Sequence, residues 1–302
     1  MQKEIIDVDK KNKLIRRYCY NYHLEEKNIS YDMIIKHWTL ERELAKKMRE
    51  CERSNRTEFF KDCYHILYTS CPWLVSTGMS DSKRSDWINW CINSTLPKKA
   101  QILEIGGGAG NCAKNVCEKG FFLTCIDISE ERVSQAKMNN QESNIAFHVG
   151  DATNLKFPHD SFDVVYSHQM IEHLHPDDVL YHFQEVYKIL KKGGFYYFTT
   201  PNSLWGPHDV SRVFGCKKTY GMHLKEYSYS EITTILQASG FNILKTPLIH
   251  PFICHKLGLI PPSINSNKKN RWESSIRLLP DPLNKIISTL SAINSIMITA
   301  IK

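Results

Sequence analysis

The chain has 302 residues, 42% of them hydrophobic and 24% charged, with a formal net charge of +7. That composition suits a globular α/β domain of ordinary size with an added segment and excludes a disordered or low-complexity chain. No apolar run approaches the ~18 residues of a membrane span. Met1-Gln-Lys-Glu-Ile-Ile-Asp also lacks the apolar core of a secretory signal, so the expected location is cytoplasmic.

Residues 1 to about 97 carry helical spacing without strand alternation. Phe59, Phe60, Cys63, Tyr64, Leu67 and Tyr68 form one apolar stripe and Trp87, Trp90 and Cys91 another, which predicts a helical N-terminal extension or lid. From residue 98 the chain alternates strand and helix. Strands are predicted at 101–105, 121–127, 145–149, 162–167, 194–200, 241–247 and 295–301, with helices near 110–118, 130–139, 177–190 and 229–239. This pattern predicts an α/β, Rossmann-like doubly wound sheet whose ligand lies beyond the carboxyl ends of the strands. Two segments interrupt it, at about 203–229 and 249–290. In the second, Pro261-Pro, Ser263 to Asn270 and Pro280-Asp-Pro predict irregular chain. A short amphipathic helix follows, with Leu283, Ile286, Ile287, Leu290 and Ile293 on a face expected to cover the sheet. The ten cysteines are scattered without a CxxC pair, which predicts buried or half-buried thiols in place of a zinc site or disulfide framework.

The most informative stretch is Ile102-Leu-Glu-Ile-Gly-Gly-Gly-Ala-Gly110, an apolar strand running into a glycine loop. Glycines at 106, 108 and 110 let the backbone turn tightly and approach a ligand, and the helix beyond aims free N–H groups at it. A dinucleotide site asks for G-x-G-x-x-G, but here the third position is Asn111 and the spacing is G-x-G-x-G. Glu104 would repel a pyrophosphate and hold a cationic, zwitterionic ligand. A second apolar strand ends in Asp127, about 20 residues after the loop, where a ribose diol calls for an acceptor. Asp127 could instead cap the following helix, although Ser129 can do that. A third strand ends in Gly150-Asp151-Ala152, where a carboxylate suits an adenine amino group or a turn.

In this order Glu104 to Gly110, Asp127, Gly150-Asp151 and Phe162-Asp-Val-Val-Tyr-Ser167 resemble the successive motifs of class I S-adenosylmethionine-dependent methyltransferases. The resemblance implies a seven-stranded sheet of order 3-2-1-4-5-7-6, with Ser295 to Lys302 supplying the antiparallel seventh strand. It implies S-adenosyl-L-methionine as cofactor. Glu104 would orient the methionine end, Gly106, Gly107, Gly108 and Gly110 would form the cradle, and Asp127 with Ile128 would hold the ribose. Asp151 and Ala152 would flank the adenine, and His168 would close the pocket.

Methyl transfer leaves the protein to align the reactants, dry the site and activate the acceptor. Candidates follow the fourth and fifth strands: Glu172, His173, Thr199 to Asn202, His208 and His223. The first of these resemble the E-x-x-E-H of ubiquinone-type O-methyltransferases and small-RNA 2′-O-methyltransferases. A divalent metal, if present, would take Glu172, His173 and His223, but Gln169 stands where that pattern has its first acidic ligand, so no metal is expected. His173 or His223 would then act as general base, with Glu172 beside it. Trp205, His208 and Tyr227 would line the acceptor pocket or pack structurally. The favoured reading is transfer to an oxygen or nitrogen of a small molecule such as a secondary metabolite, sugar or quinone-like lipid precursor. An RNA methyltransferase and a non-catalytic cofactor-binding protein are the alternatives. No concentrated basic stripe supports RNA, and peripheral membrane contact through Lys268, Lys269, Arg271, Arg277 and Lys285 is not favoured.

Overall fold

Gln101–Ile105 (β1) is apolar at three of its five residues and buried at those three and at Glu104, the pattern of a strand covered on both faces. In the computed structural model, which describes residues 8–75, 96, 99–110, 120–141, 144–257, 259 and 262–302, it lies at the centre of a mixed sheet. Its partners among the described residues are Phe122–Asp127 (β2), Ile145–Val149 (β3), Phe162–His168 (β4), Leu190–Pro201 (β5), Ile243–Pro247 (β6), Ser263–Asn265 (β7) and Ser295–Ile301 (β8). The order is β3-β2-β1-β4-β5-β8-β6-β7. Strands β1 to β5 run parallel, and β8 is inserted antiparallel between β5 and β6. That is the expected 3-2-1-4-5-7-6 arrangement with one short strand, β7, added antiparallel at the edge.

Glu130–Asn139 (α4), Val179–Ile189 (α5) and Tyr229–Ala238 (α6) flank the sheet. Helix α5 buries Val179, His182, Phe183, Val186 and Ile189, one stripe at helical spacing. The principal core joins this stripe to Leu103, Ile105, Val165, Phe198, Leu236, Phe241 and Ile298. A second core, with Ile102, Leu123, Cys125, Val133, Ala136 and Val164, fills the other face.

The segment after β6 departs from expectation. Pro251–Lys256 (α7) and Ser266–Ile276 (α8) are helical, where a long irregular insertion was predicted, while Asp281–Leu290 (α9) is the short amphipathic helix expected after it. The reason is chemical. Helix α8 buries Ser266, Lys269, Glu273 and Ile276, a mostly polar face that no hydrophobic periodicity reports. Asn265, read as a turn residue, caps it by accepting from Asn267 N at 2.9 Å. Lys269 Nζ donates to the carbonyls of Pro247 and Ser291, and burial pushes its ammonium down to about 8. Glu273 accepts from Asn202 Nδ2 at 2.6 Å. Of the face of α9 expected to cover the sheet, Leu283, Ile286 and Leu290 point outward, Ile287 is half-buried, and Ile293 lies buried beyond the helix end.

By compactness the chain divides into two units, Met1–Ser80 with Gly206–Leu224, and Asp81–Trp205 with Lys225–Lys302. The first contains Val8–Tyr22 (α1), Tyr31–Glu50 (α2) and Arg56–Ser70 (α3). Phe60, Cys63 and Leu67 form the buried stripe of α3, as the sequence predicts. The stripe at Trp87 to Cys91 and the helix predicted at 110–118 lie outside the described residues. Cys19, Cys51, Cys63, Cys71, Cys125, Cys216 and Cys254 are free thiols, buried or half-buried as expected. No described helix is long and apolar enough to cross a membrane.

Candidate functional site

Strand order reverses between β1 and β4, and the loop after β1 opens at that switch point. The loop is fastened to the neighbouring strand, because Gly106 N and Gly107 N both donate to Ile126 O, at 2.8 and 3.1 Å. Gly106 and Gly110 take φ of +72° and +74°, where a side chain is strained. A Cβ on Gly110 would meet Asn140 Nδ2 at 2.7 Å, Ala136 Cβ at 3.0 Å and Phe147 Cε1 at 3.1 Å. Gly110→Ala is therefore expected to lower stability by about 2–4 kcal/mol, from strain plus overpacking, as read by chemical denaturation.

The three acidic residues stand along the carboxyl ends of adjacent strands. Glu104, next to last in β1, is 4% exposed, and burial pushes its carboxyl up to about 7 against hydrogen bonds from Tyr166 and Cys125, the latter at 3.1 Å. Its carboxylate lies directly beneath the cradle, since a Cβ on Gly107 would meet Glu104 Oε2 at 3.3 Å. Asp127 ends β2. Its Oδ2 accepts from Gly108 N and its Oδ1 from Ser129 N, each at 2.9 Å, so it ties the glycine loop to the start of the following turn. Burial raises its carboxyl above the ordinary range while those two N–H groups pull it back. Ser129 Oγ accepts from Arg132 N at 3.2 Å and is the cap of α4, which separates capping from whatever Asp127 does. Ile128 lies between them, half-buried. Asp151 follows β3 and uses Oδ1 to accept from Thr153 N and Thr153 Oγ1, at 2.7 and 2.8 Å.

A polar chain that sequence reasoning missed supports the loop at Ala152. His182 on α5 is fully buried and has Nδ1 at 2.8 Å from Ala152 O and Nε2 at 2.9 Å from Tyr196 Oη, which lies 2.6 Å from Ser167 Oγ. The carbonyl can only accept, so His182 Nδ1–H donates to it and Nε2 accepts from the tyrosine. Burial depresses the imidazole to about 4, keeping it neutral. The available signal was a histidine at a core position of an otherwise apolar helical stripe.

His168, the last residue of β4, is half-buried and its Nδ1 lies 2.5 Å from Thr199 Oγ1. Gln169 holds φ of +50° and donates its amide to the same threonine at 3.1 Å. Glu172 and His173 share the turn Ile171–His173 but differ in access. Glu172 is fully buried and accepts from Thr200 Oγ1 at 2.9 Å, while His173 is half-buried. Of the predicted acceptor residues in this unit, Trp205 is half-buried and donates to Asn284 Oδ1 at 3.2 Å, whereas Tyr227 is 1% exposed and sits in the principal core. Asn202 is fully engaged in closing the end of β5, through Glu273, Ile293 O and Leu204 N.

His208 and His223 belong to the other unit, both half-buried. There Arg49 donates to the carbonyls of Gly221, His223 and Leu224, and Glu41 accepts from Met222 N at 3.2 Å. Glu41 is itself held by His37 Nε2 at 2.7 Å, and Tyr18 and Trp73 continue that chain. Burial raises the Asp209 carboxyl, with His223 acting the other way. Helix α2 thus fixes the backbone that carries His223.

Residues 103–198 match the family model described as "Methyltransferase domain". That stretch of the chain carries a methyltransferase domain. A Bacillus subtilis protein named as a methyltransferase, YqeM, is 33% identical over 141 residues, 46% of this chain and 57% of the relative. The 2-methyl-6-phytyl-1,4-hydroquinone methyltransferase of Synechocystis is 34% identical over 107 residues, 35% of this chain and 33% of that one. The chain therefore spans less than two thirds of either relative. Among solved structures, a chain from the Haloferax volcanii complex of the Trm112 methyltransferase activator with a methyltransferase aligns with TM-score 0.52 at 17% identity. It covers 74% of this chain and 92% of its own length, a likeness of fold.

Proposed function

We propose that the protein is an S-adenosylmethionine-dependent methyltransferase that acts on an oxygen of a small-molecule acceptor. The observation carrying the first half is the row of Glu104, Asp127 and Asp151 at the ends of β1, β2 and just past β3, around a loop where Gly106 and Gly110 leave no room for a side chain. The residues fit the cofactor chemically. Glu104 offers a buried carboxyl to the ammonium of a methionine moiety, and the carboxylate of Asp127 retains lone pairs toward a ribose diol. Thr153 holds Asp151 in place beside Ala152, for an adenine edge. When bound, S-adenosylmethionine supplies an electrophilic methyl group on a sulfonium.

The remaining task of the chain is to bring an acceptor into line, exclude water and take a proton. His173 is the base in this reading, since it is half-buried, whereas Glu172 is sealed and bound to Thr200. Glu172 then acts as a positioning residue for the turn. Gln169 spends its amide on Thr199 and brings no charge to a cation, which supports a base over a metal. An oxygen acceptor needs such a base, and the Synechocystis relative, named for a hydroquinone, supports a small hydroxylated molecule. With an oxygen acceptor, His173→Ala should lower kcat by about 10²- to 10⁴-fold and leave cofactor affinity unchanged.

Two measurements test the reading. Calorimetry with S-adenosylmethionine and S-adenosylhomocysteine should show binding that Asp127→Ala weakens, and equal affinity in the variant would remove the ribose role. Methyl-labelled cofactor incubated with fractionated extract should label a small molecule that resists ribonuclease. Label lost on ribonuclease treatment would instead assign an RNA acceptor.

A further inference from the structure

Helix α9 is amphipathic in the inverted sense. Asn284, Ile287 and Ser288 turn toward the protein, a mostly polar face, while Leu283, Ile286 and Leu290 are 46%, 57% and 52% exposed. These three stand at i, i+3 and i+7, on one face of the helix. Further exposed apolar side chains precede it in the chain. Leu278, before α9, is 87% exposed, and Trp272 on α8 is 44% exposed. Leu257 and Leu259, which follow α7, are exposed as well. Burying a polar face and offering leucine and isoleucine to water costs free energy unless something else covers that face.

The charges around it say what that is. From Lys256 to Leu290 the exposed ionic side chains are Lys256, Lys268, Arg271, Arg277 and Lys285, against the acidic Asp281, since Glu273 is buried. Lys268, Arg271 and Trp272 share the outward side of α8. An apolar stripe flanked by lysine and arginine, with a tryptophan at its border, has the chemistry of an interfacial helix. We propose that the α8–α9 surface docks on an anionic lipid bilayer, with Leu283, Ile286 and Leu290 entering the acyl boundary and the basic side chains meeting headgroup phosphates. Each basic side chain near such a surface adds about fivefold to partitioning at low salt. The proposal is independent of the methyl donor, because it rests on a face formed by the segment after β6.

The test uses the full chain and vesicles of phosphatidylcholine with or without about one third phosphatidylglycerol, in flotation at low and high salt. The expected result is flotation with the anionic vesicles, at least tenfold weaker on pure phosphatidylcholine and reduced by salt. Ile286→Ser/Leu290→Ser and Arg277→Glu/Lys285→Glu should each abolish it while leaving thermal stability unchanged, since all four side chains are exposed. Absence of flotation at low salt overturns the proposal, as does binding indifferent to lipid charge or to the Ile286/Leu290 substitutions. A dimer that Ile286→Ser/Leu290→Ser dissociates, without vesicle binding, overturns it in favour of a second copy of the chain.

Discussion

Glu104→Gln should bind S-adenosylmethionine at least tenfold more weakly than the wild type and yet unfold at a higher temperature at pH 8. Both effects come from one buried carboxyl. A hydrogen bond from a cation to a carboxylate contributes about 1.5–3 kcal/mol, and glutamine keeps the shape without the charge. The same charge is held against its surroundings in the protein alone, where burial lifts the carboxyl from 4.5 to about 7. A carboxyl with a raised folded-state value helps the fold below pH 4.5, and that help is lost as pH rises through 7. At pH 8 the wild type therefore carries about 3 kcal/mol of strain that glutamine relieves. The cofactor, meeting a carboxyl that is half protonated near neutrality, should bind about tenfold more weakly for each pH unit below 7 and reach a plateau above it. Calorimetry between pH 5.5 and 8.5 reads both arms. An affinity independent of pH, or equal in Glu104→Gln, would remove Glu104 from the cofactor's ammonium.

How far the sequence carries follows from which forces leave a periodic trace. The glycine loop and its three acidic residues were legible because β2 and β3 are apolar runs that stop at, or just before, Asp127 and Asp151, and β1 carries Glu104 one residue before it opens into the glycines. Helix α8 was not, because it is held by a buried lysine and glutamate whose hydrogen bonds leave no hydrophobic rhythm. The stripe of α9 was legible as a stripe, but its direction was not: a periodic pattern says that a face is apolar and not what covers it. His223 was singled out as a base, but its fastening by Arg49 joins residues 174 positions apart. Tyr227 shows the opposite error. An aromatic residue downstream of β5 reads as pocket lining, yet its ring completes the core beside α6.

His182 is where removal of one unpredicted side chain should have the largest effect on the fold. Its two nitrogens satisfy Ala152 O and Tyr196 Oη in a site without water access, and His182→Ala leaves Ala152 O unpaired and Tyr196 Oη with Ser167 Oγ alone, beside a new cavity. The expected cost is about 3–5 kcal/mol, measured by denaturant unfolding. Cofactor affinity should fall with it, since the loop at Ala152 loses its tether. Acid adds a second reading. With a folded value near 4 against 6.5 unfolded, His182 contributes stability that is present above pH 6.5 and lost as pH falls toward 4. Glu104 has the opposite sign over nearly the same interval, so the two contributions oppose each other between about pH 4.5 and 6.5. Glu104→Gln should expose the acid loss owed to His182, about 3 kcal/mol across that interval. His182→Gln should expose the loss on raising pH that Glu104 causes. Profiles of both variants with the same shape as the wild type's would show that neither group titrates in the folded protein as its burial requires.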